Sequence, residues 1–215
     1  MRMSRPTEVT YDYIKQRIME GDYKPSQKLN ESELSEVIGV SRNTVKKALL
    51  KLEQENLVLI ETNKGARIKS FSLEEIINYL EIRETLEGLI AKTAAPHMTE
   101  ERLLLLEETF EQMKGHLENN RFDEYSKCNQ TFHAIIYEAS TNQQAVEMVN
   151  KIKNQLKRLQ IKTILIPGRT QDSLKEHQKV LNAMKSHDGN WAEDAIKHHI
   201  AQVRKALAEN YTFLV

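Results

Sequence analysis

A single cysteine, Cys128, stands among 215 residues, so no internal disulfide can form and the chain suits a reducing compartment. No run of about 18 apolar residues occurs, which excludes an ordinary membrane-spanning helix. The N-terminus also lacks the apolar core of a secretory signal. No internal repeat or low-complexity tract stands out. These absences lead to the expectation of a cytoplasmic protein with no membrane partner. Net charge is missing too, with 31 Lys and Arg against 31 Asp and Glu. That balance hides an asymmetry. Residues 1–70 carry 13 cationic against 10 acidic side chains, leaving 18 against 21 for the rest.

What is present concentrates in residues 31–67. Leu34, Val37 and Ile38 fall at i, i+3, i+4, the spacing of one apolar helix face. Gly39 follows where a helix ends in the left-handed conformation. Val40 can fill the corner, and Ser41 suits the N-cap of a second helix. That helix is expected to turn Val45, Ala48, Leu49 and Leu52 inward and Arg42, Asn43, Lys46, Lys47 and Lys51 outward. From Ser41 to Leu52 there are four basic residues and no acidic one, a surface that suits phosphates. In helix-turn-helix docking the first residues of the second helix meet base edges. Arg42 can pair with a guanine edge and Asn43 with an adenine edge, while Lys46 is placed for phosphate. Leu57–Ile60 and Ala66–Ile68 read as two short strands joined through Asn63-Lys64-Gly65, a hairpin turn with a cation at its tip.

Gly21, Tyr23, Lys24, Pro25, Leu29, Asn30, Glu31, Leu34, Ile38 to Arg42, Val45 to Leu49, Leu52, Glu53, Leu57, Val58, Gly65 and Ala66 carry a resemblance. Over roughly residues 8–70 the chain resembles the winged-helix domain of GntR-type bacterial transcription regulators. The resemblance implies DNA contacts from Ser41, Arg42, Asn43, Thr44, Lys46, Lys64 and Gly65. The chain departs from the family pattern at Ser26 and Asn56, where glycine is usual. It also departs at Asn43-Thr44, usually Thr-Pro, and at Lys46-Lys47, usually Arg-Glu.

A boundary is expected near Ser70-Phe71-Ser72, with Ser72 and Glu75 spaced as a capping box. This divides the chain into a DNA-binding domain over 1–71 and a second domain over 72–215. Helical periodicity and breaks at proline, glycine and asparagine predict helices over 73–95, 99–118, 121–140, 142–164, 171–187 and 190–210. The fold class is therefore mainly α: a winged helix-turn-helix followed by an all-helical bundle.

Three histidines sit on the expected inward faces of three of these helices. His177 begins the stripe His177, Val180, Leu181, Met184. His199 shares a stripe with Ile196, Val203 and Leu207, and His133 lies with Asn129, Ile136 and Tyr137. A lone inward histidine is usually a hydrogen-bonded core residue, and each buried imidazole needs a polar partner. A shared divalent transition metal such as Zn²⁺ would supply one to all three. From spacing alone both readings stand. His97, His116, His187 and His198 lie at helix ends or off the stripes and are expected in solvent.

Tyr79 to Arg83, Leu86-Glu87, Asn129, Phe132-His133, Asn142, Glu176-His177 and His199-Ile200 carry a second resemblance, to the all-helical effector domain of the FadR-type subgroup. Many members hold a metal through one Asp and three His. His133, His177 and His199 match the histidines, and Asn129 stands where the Asp usually is. The resemblance implies Zn²⁺, with Ni²⁺ or Mn²⁺ as alternatives, and a small organic acid as effector. Arg83 can assist such an anion or pair with Glu87 at i+4. The expected function is a repressing, ligand-responsive regulator acting as a homodimer on a pseudo-palindromic double-stranded DNA operator. Two other readings are a winged-helix regulator whose helical domain is metal-free or purely dimerising, and a metal-dependent hydrolase. Against the hydrolase, no acidic residue stands at the helical spacing of a general base.

Overall fold

In a computed structural model the chain separates into two compact units, Met1–Ser72 and Leu73–Val215. The structure describes residues 5–62, 64–164 and 166–211, and for 157–162 the backbone alone.

The first unit orders α1 (Arg5–Glu20), β1 (Lys28–Leu29), α2 (Glu31–Ile38), α3 (Arg42–Gln54), β2 (Val58–Glu61) and β3 (Gly65–Ile68). The antiparallel sheet runs β1-β3-β2, pairing Leu29 with Ala66 and Ile60 with Ala66 on the two sides of β3. Alternation follows from the pleat: Ala66 and Ile68 are buried and Gly65 and Arg67 exposed, the period-2 pattern of a strand with one wet face. Ile14, Val45, Ala48, Leu49 and Leu52 are fully enclosed. Each large aliphatic side chain removed from water in this way contributes roughly 1.5–3 kcal/mol.

Local signals act as their chemistry requires. Gly39 ends α2 at φ 73°, and the Ser41 hydroxyl accepts the Thr44 N–H at 3.2 Å to cap α3. Such a cap is worth about 1 kcal/mol. Ser26 and Asn56 both adopt positive φ, 62° and 57°, so the two positions where the family pattern has glycine are left-handed here without it.

Two inward or outward assignments need correction. Val37 is 69% exposed, because on a two-turn helix Leu34 and Ile38, one turn apart, already occupy the covered face. Lys51 does not point outward with Arg42. Its ammonium lies 3.9 Å from the Tyr11 ring centroid, a cation–π contact. Tyr11 also donates to Glu55 at 2.6 Å, and Lys15 pairs with Glu55 at 2.7 Å, so this cluster ties α1 to the C-terminal end of α3. Helix α1 itself has no counterpart in the sequence reading above.

The second unit is helical: α4 (Leu73–Ala94), a short 3₁₀ turn (Ala95–His97), α5 (Glu100–Glu118), α6 (Phe122–Ala139), α7 (Gln143–Thr163), α8 (Arg169–Lys185) and α9 (Gly189–Glu209). Each lies within two residues of its expected bounds. Helix α4 packs along α9, and α5 along α6. A Cβ at Gly189 would come within 2.6 Å of the Lys92 carbonyl oxygen, so only glycine lets α9 begin against the end of α4. Leu106, Met113, Phe132, Ile136, Val180, Met184 and Ile200 form the core. Among the described residues, no helix is long and apolar enough to cross a membrane.

A candidate DNA-reading face and a candidate metal centre

The outer face of α3 is free to meet a partner. Arg42, Asn43, Lys46 and Lys47 are all exposed and make no side-chain hydrogen bond or ion pair among the described residues. Ser41 and Thr44 are already engaged: their hydroxyls lie 2.8 Å apart, and Ser41 caps the helix. This fixes the N-terminal turn of α3, from which Arg42 and Asn43 project. At the other expected contact, Lys64 is exposed and Gly65 has φ 84°. The Lys64 N–H donates to the Glu61 carbonyl at 3.1 Å, closing the hairpin between β2 and β3. Asn63, part of the expected turn, lies outside the described residues.

In the helical unit, His133 from α6, His177 from α8 and His199 from α9 converge. All three are buried, and their ligand nitrogens lie within 4.8 Å of one another. His133 Nε2 stands 3.2 Å from His177 Nε2. Two ligands of a tetrahedral ion at ~2.05 Å are separated by about 3.3 Å. The opposite nitrogens have fixed partners: His177 Nδ1 lies 2.6 Å from the Ser173 carbonyl, and His199 Nδ1 lies 2.7 Å from Glu176. Each Nδ1 therefore carries the proton, and each Nε2 lone pair is turned toward the cluster, the outer-shell arrangement that readies an imidazole for a cation. His133 Nδ1 has no hydrogen-bond partner among the described residues, and Glu87 Oε2 stands 3.7 Å from it.

Burial keeps these rings neutral. It holds His177 and His199 down to about 3, with His199 adding to the effect on His177 and Arg169 to that on His199. Burial, reinforced by Lys153 and the neighbouring imidazoles, also holds His133 well below the ordinary histidine value. Neutral imidazole is the form that binds a metal. Asn129, one turn before His133 on α6, lines the same cavity, and its buried Oδ1 has no hydrogen-bond partner among the described residues. Three converging imidazole nitrogens and one orphaned amide oxygen fit a transition-metal ion.

The cavity has a volume of ≈ 360 Å³ and draws its walls from α4, α6, α7, α8 and α9. Arg83, 5% exposed, does make the i+4 pair with Glu87, its Nε donating at 2.6 Å. Its Nη1 nevertheless stays without a partner among the described residues. Glu87 also accepts from Tyr137 at 2.7 Å. Burial alone would raise Glu87, but Arg83, Lys153 and these hydrogen bonds outweigh it and keep the carboxyl below its usual range. Tyr137 is pushed well above the ordinary phenol value by burial and by Glu87. On the other side, Arg169 grips Glu176 through two hydrogen bonds of 3.1 and 2.8 Å.

Lys153, Tyr137 and Arg169 were not legible as site residues in the sequence. Only the seven-residue spacing of Arg169 and Glu176, two turns of α8, carried a usable signal. His97, His187 and His198 are exposed as expected. His116 is a correction: it is half-buried, and its Nδ1 is enclosed without a partner, because it sits in the last turn of α5 against the bundle rather than beyond it.

Comparison with known proteins matches both units. The signature of the bacterial regulatory proteins of the gntR family covers residues 6–68, and that of the FCD domain covers residues 78–202. The HTH-type transcriptional repressor RspR of Escherichia coli K12 is 23% identical over 199 residues, spanning 93% of this chain and 87% of that protein. The HTH-type transcriptional regulator LutR of Bacillus subtilis is 28% identical over 212 residues, spanning 89% and 96%. Among solved structures, E. coli McbR/YncC superposes with a TM-score of 0.77 at 21% identity, covering 97% of this chain and all of that one. These relatives are transcriptional regulators, not enzymes.

Proposed function

The chain belongs to the FCD-bearing branch of the gntR family of bacterial regulatory proteins, and from that premise we propose how this DNA-binding transcriptional regulator senses and responds. It acts as a homodimeric repressor on a pseudo-palindromic operator, and a small organic acid bound beside a metal ion in the helical domain controls its affinity. Arg42 and Asn43 read base edges in the major groove, and Lys46 holds phosphate. Lys64 and Gly65 bring the wing tip to the flanking backbone. Ser41 and Thr44 position the reading turn and complete the contact.

His133, His177 and His199 hold the metal, with Asn129 as a neutral fourth donor. Imidazole and amide donors suit Zn²⁺ or Ni²⁺ better than Mn²⁺, which favours carboxylate. When bound, the ion supplies open coordination positions and positive charge for a carboxylate. Arg83 offers its free Nη1 to the same anion. The acid shifts the population of helical-domain arrangements, and with it the spacing of the two reading helices. One observation carries this reading: three buried imidazoles converge, and two of them, His133 and His199, line with Asn129 and Arg83 a cavity in which the Asn129 Oδ1 and Arg83 Nη1 have no partner among the described residues.

The 3.2 Å contact between His133 and His177 favours a second reading. There the trio is a core cluster held by the His133–His177 contact and by Ser173 and Glu176, and the domain senses without metal or only dimerises. A thermal-shift screen of divalent metals crossed with small carboxylates, on full-length protein stripped with chelator, separates the two. The metal reading predicts stabilisation by Zn²⁺ and a further shift when acid is added. Absence of any metal-dependent shift would establish the second reading instead.

A further inference from the structure

The charge around the cavity does not balance. Arg83, Lys153 and Arg169 line it. The carboxylates in contact with these cations are Glu87 and Glu176. Glu176 is taken by Arg169 and His199. Both oxygens of Glu87 are occupied, one by Arg83 and the other by Tyr137. Lys153 is left with the Tyr137 hydroxyl at 3.4 Å and the Tyr137 ring face at 4.8 Å, and forms no ion pair among the described residues. The enclosed Arg83 Nη1 has no acceptor among the described residues. One positive charge is thus in excess beside a buried guanidinium N–H that lacks a partner, a costly arrangement until an anion enters.

This excess stands apart from the metal donors. His133 separates the two groups: its Nε2 faces His177, and its Nδ1 faces Glu87 and therefore the Arg83–Tyr137–Lys153 side. The donor set is also neutral throughout, since Asn129 brings no charge, so a divalent ion there keeps its full charge. A monocarboxylate satisfies one of these positive centres and leaves the other. At ≈ 360 Å³ the space is at the small end of ligand cavities, about 300–1,000 Å³.

We infer that the effector is a short dianion, with one carboxylate for the metal side and a second anionic group held by Arg83 and Lys153. Lys153 is then the residue that separates diacids from monoacids. The inference rests on the proposed acid-sensing role. The second group is a carboxylate or a phosphate, since a lysine with one free guanidinium N–H suits either.

Calorimetric titration of the full-length protein, zinc-loaded and chelator-stripped, tests this with matched probes: succinate against butyrate, and 3-phosphoglycerate against glycerate. The zinc-loaded protein should bind at least one dianion about tenfold or more tighter than its monoanionic partner. Lys153→Gln should erase that preference, whereas Lys151→Gln, an exposed change outside the cavity, should keep it. Zinc uptake by each variant checks that it is folded. Equal affinity for both members of each pair, a preference that survives in Lys153→Gln, or no binding of any probe would overturn the inference. A Lys153-dependent preference that persists without zinc would uphold it while overturning the metal reading.

Discussion

The two units solve opposite problems with polar side chains. In the winged helix Arg42, Asn43, Lys46 and Lys47 stand on the outside of α3, exposed and without side-chain partners among the described residues, while an apolar face fixes the helix behind them. In the helical unit the functional groups are inside, and most are tied to a neighbour on another turn or another helix, while Asn129 Oδ1, His133 Nδ1 and Arg83 Nη1 have no partner among the described residues. A surface that meets DNA gains from charges that keep their water until binding. A cavity with the proposed task of recognising a small acid needs charges held in place beforehand, and burial then demands partners for most of them. The difference also shows in composition: residues 1–70 contain no histidine, whereas the helical unit buries three.

The comparison can be broken most forcefully at the metal centre. His177→Ala should abolish stoichiometric metal binding and any metal-dependent thermal shift, leaving operator binding by metal-free protein intact. Elemental analysis and an operator titration check both halves. Arg42→Ala should do the reverse. Specific operator affinity should fall by roughly one to two orders of magnitude, as expected for a bidentate base contact worth about 1–3 kcal/mol, with metal content unchanged. If that variant shifts the operator at normal affinity, α3 is not the reading helix.

Glu176→Gln probes the outer partner of His199. Metal affinity should drop by about 10- to 100-fold while binding persists. Acid should separate the two units as well. His177 and His199 titrate near 3 in the fold against about 6.5 in the unfolded chain, so the unfolded chain takes up more protons between those values. Stability of the metal-free helical unit is therefore full above pH 6.5 and declines as pH falls toward 3. Glu176, raised by burial, offsets part of this loss. Circular dichroism melts at pH 7 and pH 5 should show the helical unit weakening first. The smallest effect belongs to Ser26→Gly. Removing the Cβ at φ 62° should stabilise the winged helix by up to about 1 kcal/mol.

Most of the fold was readable because it is written in local patterns. The six long helices follow from periodicity and breakers, and Gly39 and Ser41 do what a left-handed stop and an N-cap must. The exposed cationic face of α3, proposed to read DNA, was legible for the same reason, since a cluster of cations on one helix face needs no tertiary knowledge. Errors arose where a third element decides orientation. Val37 yields its place to Leu34 and Ile38, and Lys51 turns to Tyr11, which comes from α1, forty residues earlier. The histidine stripes pointed inward correctly, but their partners could not be foreseen. Glu87, Tyr137 and Lys153 meet from α4, α6 and α7, and no spacing within one helix announces a network shared by three. The surplus charge on which the proposed anion site rests exists only after those helices pack.

On the proposed reading the buried histidine trio is a sensor's metal centre and not a self-satisfied core. Zinc titration of chelator-stripped, full-length protein tests it most directly, with bound metal counted per chain. The account predicts one tightly held ion per chain, lost in His177→Ala. Protein that takes up no zinc, or takes it up equally well without His177, would contradict it.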